Sequence, residues 1–138
     1  MKVLFVCKAN AGRSVTAEAL FNKFSKKNRA FSAGTVVKKE KKEGNPAGVN
    51  STKALSRIHI DVSKHRRKQL DYKLFKKVDK VVVLLTTPER GTLPKYLKNS
   101  KKVTYWNIKD MRGTDYNFHV KGRARINRLV KALIKKIG

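Results

Sequence analysis

The chain opens on Lys2-Val3-Leu4-Phe5-Val6, an apolar run with no polar alternation. Such a run predicts a strand buried on both faces of a parallel sheet. A polar loop follows, and then Ser14 to Lys27 places Ala17, Leu20, Phe21 and Phe24 at the period of an amphipathic helix. Arg29 to Ala33, closed by Gly34, predicts a second strand. Lys38 to Gly44 is charged and lacks apolar anchors, so it reads as an exposed loop. Pro46 stands where a helix with the face Val49, Ala54, Leu55 and Ile58 can start. A turn at Asp61-Val62-Ser63 leads into the basic run Lys64 to Lys68, and Asp71 predicts the N-cap of a short helix through Lys77. Lys80 to Leu85 is the strongest strand signal. Pro88 opens a short helical region interrupted by Gly91 and Pro94, and Val103 to Trp106 predicts a fourth strand. After a loop from Asp110 to Asp115, Asn117 to Ile137 carries Val120, Ala124, Ile126, Leu129, Val130, Leu133, Ile134 and Ile137 at helical spacing.

Strands that alternate with helices in this way imply an α/β fold, a parallel sheet with helices on both faces. The 138 residues amount to one domain, expected to span 1–138 without linker or internal repeat.

Charge changes the picture more than hydropathy does. Thirty-five Lys and Arg stand against nine Asp and Glu, a formal net charge of +26. Such a surface either serves solvation alone or draws anions: phosphorylated substrate, nucleic acid, or an anionic membrane. No window approaches the length of a membrane-spanning helix, so no membrane insertion is expected. The apolar start stops after five residues at a polar loop and does not read as a signal peptide. Cys7 is the single cysteine, so no disulfide can form within the chain. Together these place the protein in the reducing cytoplasm. His59, His65 and His119 are widely spaced and make no metal-ligand pattern; no metal or cofactor is expected.

The chemistry concentrates where the first strand ends. Ligands of open α/β sheets bind at the carboxyl ends of the strands, and Cys7-Lys8-Ala9-Asn10-Ala11-Gly12-Arg13-Ser14 lies there, feeding directly into a helix. Helix N-terminal N–H groups and a nearby arginine both favour thiolate over thiol. The same loop is a ready anion cradle, in which Arg13 can grip two phosphoryl oxygens and backbone N–H groups can hold the rest. A nucleotide-type phosphate loop is excluded, because it would need Gly-Lys followed by Ser or Thr. The pattern therefore predicts a cysteine nucleophile at Cys7 and phosphate binding by Lys8, Ala9, Asn10, Ala11, Gly12, Arg13 and Ser14. A leaving alkoxide or phenoxide also needs a proton. Glu18 reads as surface charge on the first helix, Glu40 and Glu43 as loop charges, and Asp61 and Asp71 as caps. Asp79 begins a strand, and Glu89 supplies first-turn charge. That leaves Asp110 and Asp115, both in a loop at a carboxyl end of the sheet.

Val3-Leu4-Phe5-Val6-Cys7, with Asn10, Arg13-Ser14 and Ala17-Glu18-Ala19-Leu20, resembles the low-molecular-weight protein tyrosine phosphatases, a family that includes thioredoxin-coupled arsenate reductases. Ser32-Ala33-Gly34-Thr35, Asn45-Pro46, Ile60-Asp61-Val62-Ser63 and His65-Arg66 extend the resemblance along nearly the whole chain. It implies a four-stranded parallel sheet in a three-layer sandwich, and a two-step reaction through phosphocysteine at Cys7. Arg13 would bind the phosphoryl oxygens, Ser14 would donate to the Cys7 thiolate, and Asn10 would fix the loop backbone. Trp106 to Asp110 resembles the approach to the family's general acid, which implies Asp110 for that role, with Asp115 as the fallback. The implied substrate is a phosphorylated protein, phosphotyrosine first, with phosphoarginine and small phosphate esters open.

The chain departs from the family pattern at several positions. Met111 stands where a proline usual to the family follows the acid, which predicts a less rigid acid loop. Val15 and Thr16 replace a usual proline and methionine. Gly12 stands where many relatives carry a second cysteine, so arsenate reduction would need an external thiol. Met111, Arg112 and Gly113 occupy the places of substrate-flanking aromatics, with Tyr116 and Phe118 nearby, and Lys8 and Arg112 are expected to make the entrance cationic. Two alternatives to the phosphatase remain: an arsenate reductase coupled to an external thiol, and a phosphatase-like module that uses its charge to bind nucleic acid.

Overall fold

The computed structural model describes residues 1–111 and 113–138. Four parallel strands, β1 (Lys2–Cys7), β2 (Arg29–Gly34), β3 (Lys80–Val83) and β4 (Val103–Tyr105), form one sheet in the order β2-β1-β3-β4. Helices α1 (Arg13–Phe24), α2 (Val49–Ser56), α3 (Tyr72–Lys77), α4 (Lys95–Lys98) and α5 (Tyr116–Ile137) connect them, with a 3₁₀ turn at Thr87–Thr92. The expected three-layer α/β sandwich is the one found.

The unbroken apolar run of β1 has a direct cause. Val3 and Phe5 point into one core with Leu20 and Phe21 of α1, Leu55 of α2, and Ile126 and Val130 of α5. Leu4 and Val6 point into the other with Phe75 of α3 and Leu97 of α4. A strand covered on both sides has no polar face to show. From β1 the chain builds outward in both directions, first to β2 and then to β3 on the other side. The carboxyl end of β1 is therefore a topological switch point, where the connections diverge and leave a crevice. Cys7 stands at that end, paired with Gly34 of β2.

Several boundaries differ from the sequence reading. β3 stops at Val83, although Leu84 and Leu85 remain fully buried and Leu84 N–H still donates to Val6 O at 2.8 Å. α2 begins at Val49, not Pro46. The backbone there is tied to the basic turn instead: Arg67 N–H donates to Asn45 O, and its Nε to Pro46 O, at 2.8 and 2.9 Å. α1 ends at Phe24, where Ser25 turns extended and returns its N–H to Phe21 O. No helix among the described residues is long and apolar enough to cross a membrane.

Candidate active site

The loop between β1 and α1 closes around a cavity of about 420 Å³ lined by Cys7, Ala9, Ala11, Gly12 and Arg13, with Asp110 and Met111 from the loop after β4. The start of α1 is built to receive an anion. Its N-cap is Gly12, which has no side chain to offer, and its first turn holds no acidic residue. α3 and α5 instead begin with Asp71 and Asp115, each accepting a backbone N–H of its own helix. The first donors of α1 are thus left for a group from outside the chain.

Beneath the loop runs a chain of buried hydrogen bonds. Asn10 sits in the left-handed region at φ 53°, which asparagine tolerates better than most residues. Its Nδ2 donates to Ser14 Oγ at 2.8 Å and to Ser32 Oγ at 3.0 Å, while its Oδ1 accepts the Lys68 N–H at 2.9 Å. Ser14 Oγ accepts from Asn10 and lies 3.0 Å from Cys7 Sγ; toward a Cys7 thiolate, which has no proton to give, the Ser14 hydroxyl is the donor. A hydroxyl aimed in this way stabilises a thiolate. Ser32 likewise accepts from Asn10 and donates to Glu18 Oε1 at 2.7 Å.

Glu18 is therefore not the surface charge its sequence position suggested. Burial pushes its carboxyl up, against the Ser32 hydrogen bond and the charges of Lys68 and Arg29. His65, expected in a basic turn, also folds beneath the loop. Burial and the nearby Lys68 lower it to about 4, with its bond to Asn10 O opposing, so it is neutral at pH 7. Its Nε2 lies 3.2 Å from Asn10 O. A carbonyl can only accept, which fixes the proton on Nε2. Nδ1 then faces Glu18 Oε1 at 3.8 Å, a contact too long for a hydrogen bond and, with His65 neutral, not an ion pair.

Arg13 is held from the far side. Nη1 and Nη2 pair with Glu89 Oε1 and Oε2 at 2.7 and 2.9 Å, and Nη1 also donates to Ile108 O at 3.0 Å. Three of the five donors of a guanidinium are used in this way. Nε–H and the second proton on Nη2 share the remaining edge, the fork that matches two phosphoryl oxygens. Burial opposes the Arg13 charge, but Glu89, Cys7 and Asp110 more than restore it and hold the guanidinium above its ordinary range. For Glu89, burial pushes upward, yet Arg13 together with Thr86 N–H and O–H brings the carboxyl down to about 2. Thr86 and Glu89 form a capping box. The sequence carried that Thr-x-x-Glu signal, but it gave no hint that the carboxylate also grips Arg13.

The predicted site residues divide into groups. Cys7, Ala9, Ala11, Gly12, Arg13 and Asp110 line the cavity; Asn10 and Ser14 support it from below; Lys8 does not line it. Asp115 is occupied as the cap of α5, accepting from Phe118 N at 2.9 Å. The rim cations are Lys42 and Arg67, with Glu40 beside them, so the charged loop read as merely exposed contributes to the entrance. Arg112, the other expected entrance cation, lies outside the described residues. Tyr116 packs under Lys53 and Arg57 of the α2 region, and neither it nor Phe118 lines the cavity. Met111 is buried. It rests on Gly122 of α5, where a Cβ would collide with its sulfur, and its methyl approaches Gly12. The loop that carries Asp110 is anchored by this packing instead of by a proline ring. Ser51 and His119, missed in the sequence, form a polar patch of the wall with Oγ and Nδ1 3.4 Å apart. His119 lies seven residues before Ile126, in phase with the buried face of α5, and that spacing was the available signal.

The sequence model of the low molecular weight phosphotyrosine protein phosphatase family matches residues 2–137. The chain belongs to that family. It is a cysteine-dependent phosphatase with Cys7 as its active-site cysteine. Among solved structures, a low molecular weight protein tyrosine phosphatase from T. tengcongensis superposes with a TM-score of 0.88 at 29% identity, covering 99% of both chains. An arginine phosphatase from Geobacillus stearothermophilus gives 0.85 at 25% identity, over 99% of this chain and 92% of that one. An arsenate reductase from Archaeoglobus fulgidus gives 0.76 at 28% identity, over 96% and 98%.

Proposed function

We propose that this phosphatase hydrolyses phosphate monoesters, with phosphotyrosine on proteins as its first substrate class, through phosphocysteine. Arg13 would hold two phosphoryl oxygens on its unoccupied edge, and the loop N–H groups would hold the third. Cys7 Sγ attacks phosphorus in line; the S–P bond forms as the ester P–O bond breaks, and Asp110 gives its proton to the departing oxygen. A water molecule then attacks phosphorus and passes a proton to Asp110. The S–P bond breaks, phosphate leaves, and the returning thiolate is stabilised by the Ser14 hydroxyl. The observation that carries this reading is the placement of Cys7 before an uncapped helix N-terminus, opposite an arginine already steadied by Glu89.

One domain spanning 1–138 and a cytoplasmic location fit this assignment. The surplus of positive charge also favours association with polyanions such as nucleic acid. Arsenate reduction is the weaker reading, because the arsenate reductase superposes less closely than the two phosphatases. With Cys7 as the single cysteine, it would also require an external thiol.

The test is release of p-nitrophenol from p-nitrophenyl phosphate near pH 6 by wild type and Cys7→Ser. Turnover confined to wild type is expected. Absence of turnover in folded wild-type protein overturns the assignment, and arsenate reduction with an added thiol would then be assayed.

A further inference from the structure

The outer face of helix α5 is a cationic stripe, broken in the middle by Ala132. At 100° per residue, Lys121, Arg125, Arg128, Lys135 and Lys136 fall within an arc of about 100° and extend over roughly 22 Å of helix. All five are exposed. None makes a hydrogen bond or ion pair with the described residues, and α5 contains no acidic residue between Tyr116 and Ile137. The opposite face, with Ile126, Val130 and Leu133, is buried in the core shared with α1.

The rest of the chain offers little to neutralise this stripe. Asp61, Asp71, Asp79 and Asp115 each accept a backbone N–H. Glu89 is engaged by Arg13, and Glu18 is turned inward to Ser32. These six carboxylates are engaged within the fold, Glu40 and Asp110 line the cavity, and Glu43 lies in the loop before Gly44, so none of the nine stands on α5.

We propose that the outer face of α5 binds the phosphate backbone of duplex nucleic acid without sequence preference, an inference that rests on the polyanion association stated above. A lipid surface fits poorly, because a helix lying in a membrane interface must bury its apolar face there, and that face of α5 is already in the core. Single strands are gripped by aromatic stacking platforms, and between Lys121 and Lys136 no aromatic side chain falls within the arc; Phe118, one turn before Lys121, is half-buried. An acidic peptide would need pockets for its side chains, whereas between Lys121 and Lys136 the apolar side chain within the arc is Ala132, a methyl group. What remains is a straight row of point charges, which suits the rigid, regularly charged backbone of a duplex.

The test is fluorescence anisotropy with a labelled 20-base-pair duplex, titrated over a range of KCl concentrations. One variant replaces Lys121, Arg125, Arg128, Lys135 and Lys136 by Gln. A control replaces Lys73, Lys77, Lys95, Lys98 and Lys101 by Gln; these exposed residues lie in or beside α3 and α4, on the other side of the sheet. Both variants lose five charges. Wild type should bind with log K falling linearly in log salt. The α5 variant should bind at least tenfold more weakly, with a slope shallower by about four, and the control should change less than threefold. Equal loss in the two variants would overturn the α5 site and leave only a diffuse field. Equal binding of polyglutamate would overturn the duplex assignment. No wild-type binding at 50 mM KCl would overturn the polyanion reading itself. p-Nitrophenyl phosphate turnover in all three proteins checks folding independently of each outcome.

Discussion

Two loops meet over Cys7, and they are secured by different means. The loop from Cys7 to Arg13 is fixed by directed hydrogen bonds: Asn10 alone binds Ser14, Ser32 and the Lys68 backbone. The loop after β4 is fixed largely by packing, with Ile108 and Met111 buried and Met111 seated over Gly122, and by backbone carbonyls that accept from Arg13 at Ile108 and from Thr114 at Met111. Each loop runs into a helix. The first helix begins without a cap and the second is closed by Asp115. The difference separates two tasks. Donors awaiting a phosphoryl group must be aimed before it arrives, whereas the loop after β4 is held chiefly through its apolar side chains and backbone carbonyls. It also separates two aspartates five residues apart, one in the cavity and one committed to a helix end.

Removing the proposed acid should give the largest effect. Asp110→Asn is expected to lower kcat by about a hundredfold or more, with a greater loss on phenyl phosphate than on p-nitrophenyl phosphate, whose leaving group needs little protonation. Equal losses on the two substrates would remove Asp110 from that role. An intermediate effect is expected from the partner of Arg13. Glu89→Gln leaves one acceptor and no charge facing the guanidinium, so KM should rise roughly tenfold with a smaller change in kcat; a change confined to kcat would mean that Glu89 does not act through substrate binding. The Glu89 carboxyl sits at about 2 in the folded chain against an ordinary value of 4.5. A depressed carboxyl contributes stability that is fully present above the unfolded value and is lost as pH falls through the folded one. The stability difference between wild type and Glu89→Gln in denaturant titrations should therefore be constant above pH 4.5 and shrink toward pH 2. The smallest effect belongs to the cap. Asp115→Ala should cost about 1 kcal/mol, a Tm decrease of about 3–5 °C, with turnover near wild type. A loss of turnover matching that of Asp110→Asn would erase the distinction between the two aspartates.

Local signals made most of the architecture legible. β1 reads as a buried strand because both its faces are covered, and Asp71 reads as a cap because capping needs only the next three residues. The phosphate loop was legible for the same reason: nucleophile, cradle and arginine are contiguous. What escaped were side chains whose role depends on distant partners. Glu18 carries the same pattern as any exposed helical glutamate until β2 places Ser32 against it. Lys42 and Arg67 read as solvated charge until the chain folds back to the cavity rim. Met111 read as a loosening of the acid loop because the glycine that receives it lies eleven residues further on, in another element. The helix start expected at Pro46 was misjudged because the hydrogen bonds of Arg67 to Asn45 and Pro46 claim the backbone there, whereas the helical turn expected at Pro88 is found.

The hold on Arg13 also bears on synthesis. Its partners Glu89 and Ile108 lie 76 and 95 residues further along the chain. During translation the nucleophile and its cradle leave the ribosome early, but the guanidinium has nothing to brace it until most of the polypeptide has followed. A nascent chain therefore carries the thiol without a finished anion site, and the reactive centre is completed only as the last strand takes its place.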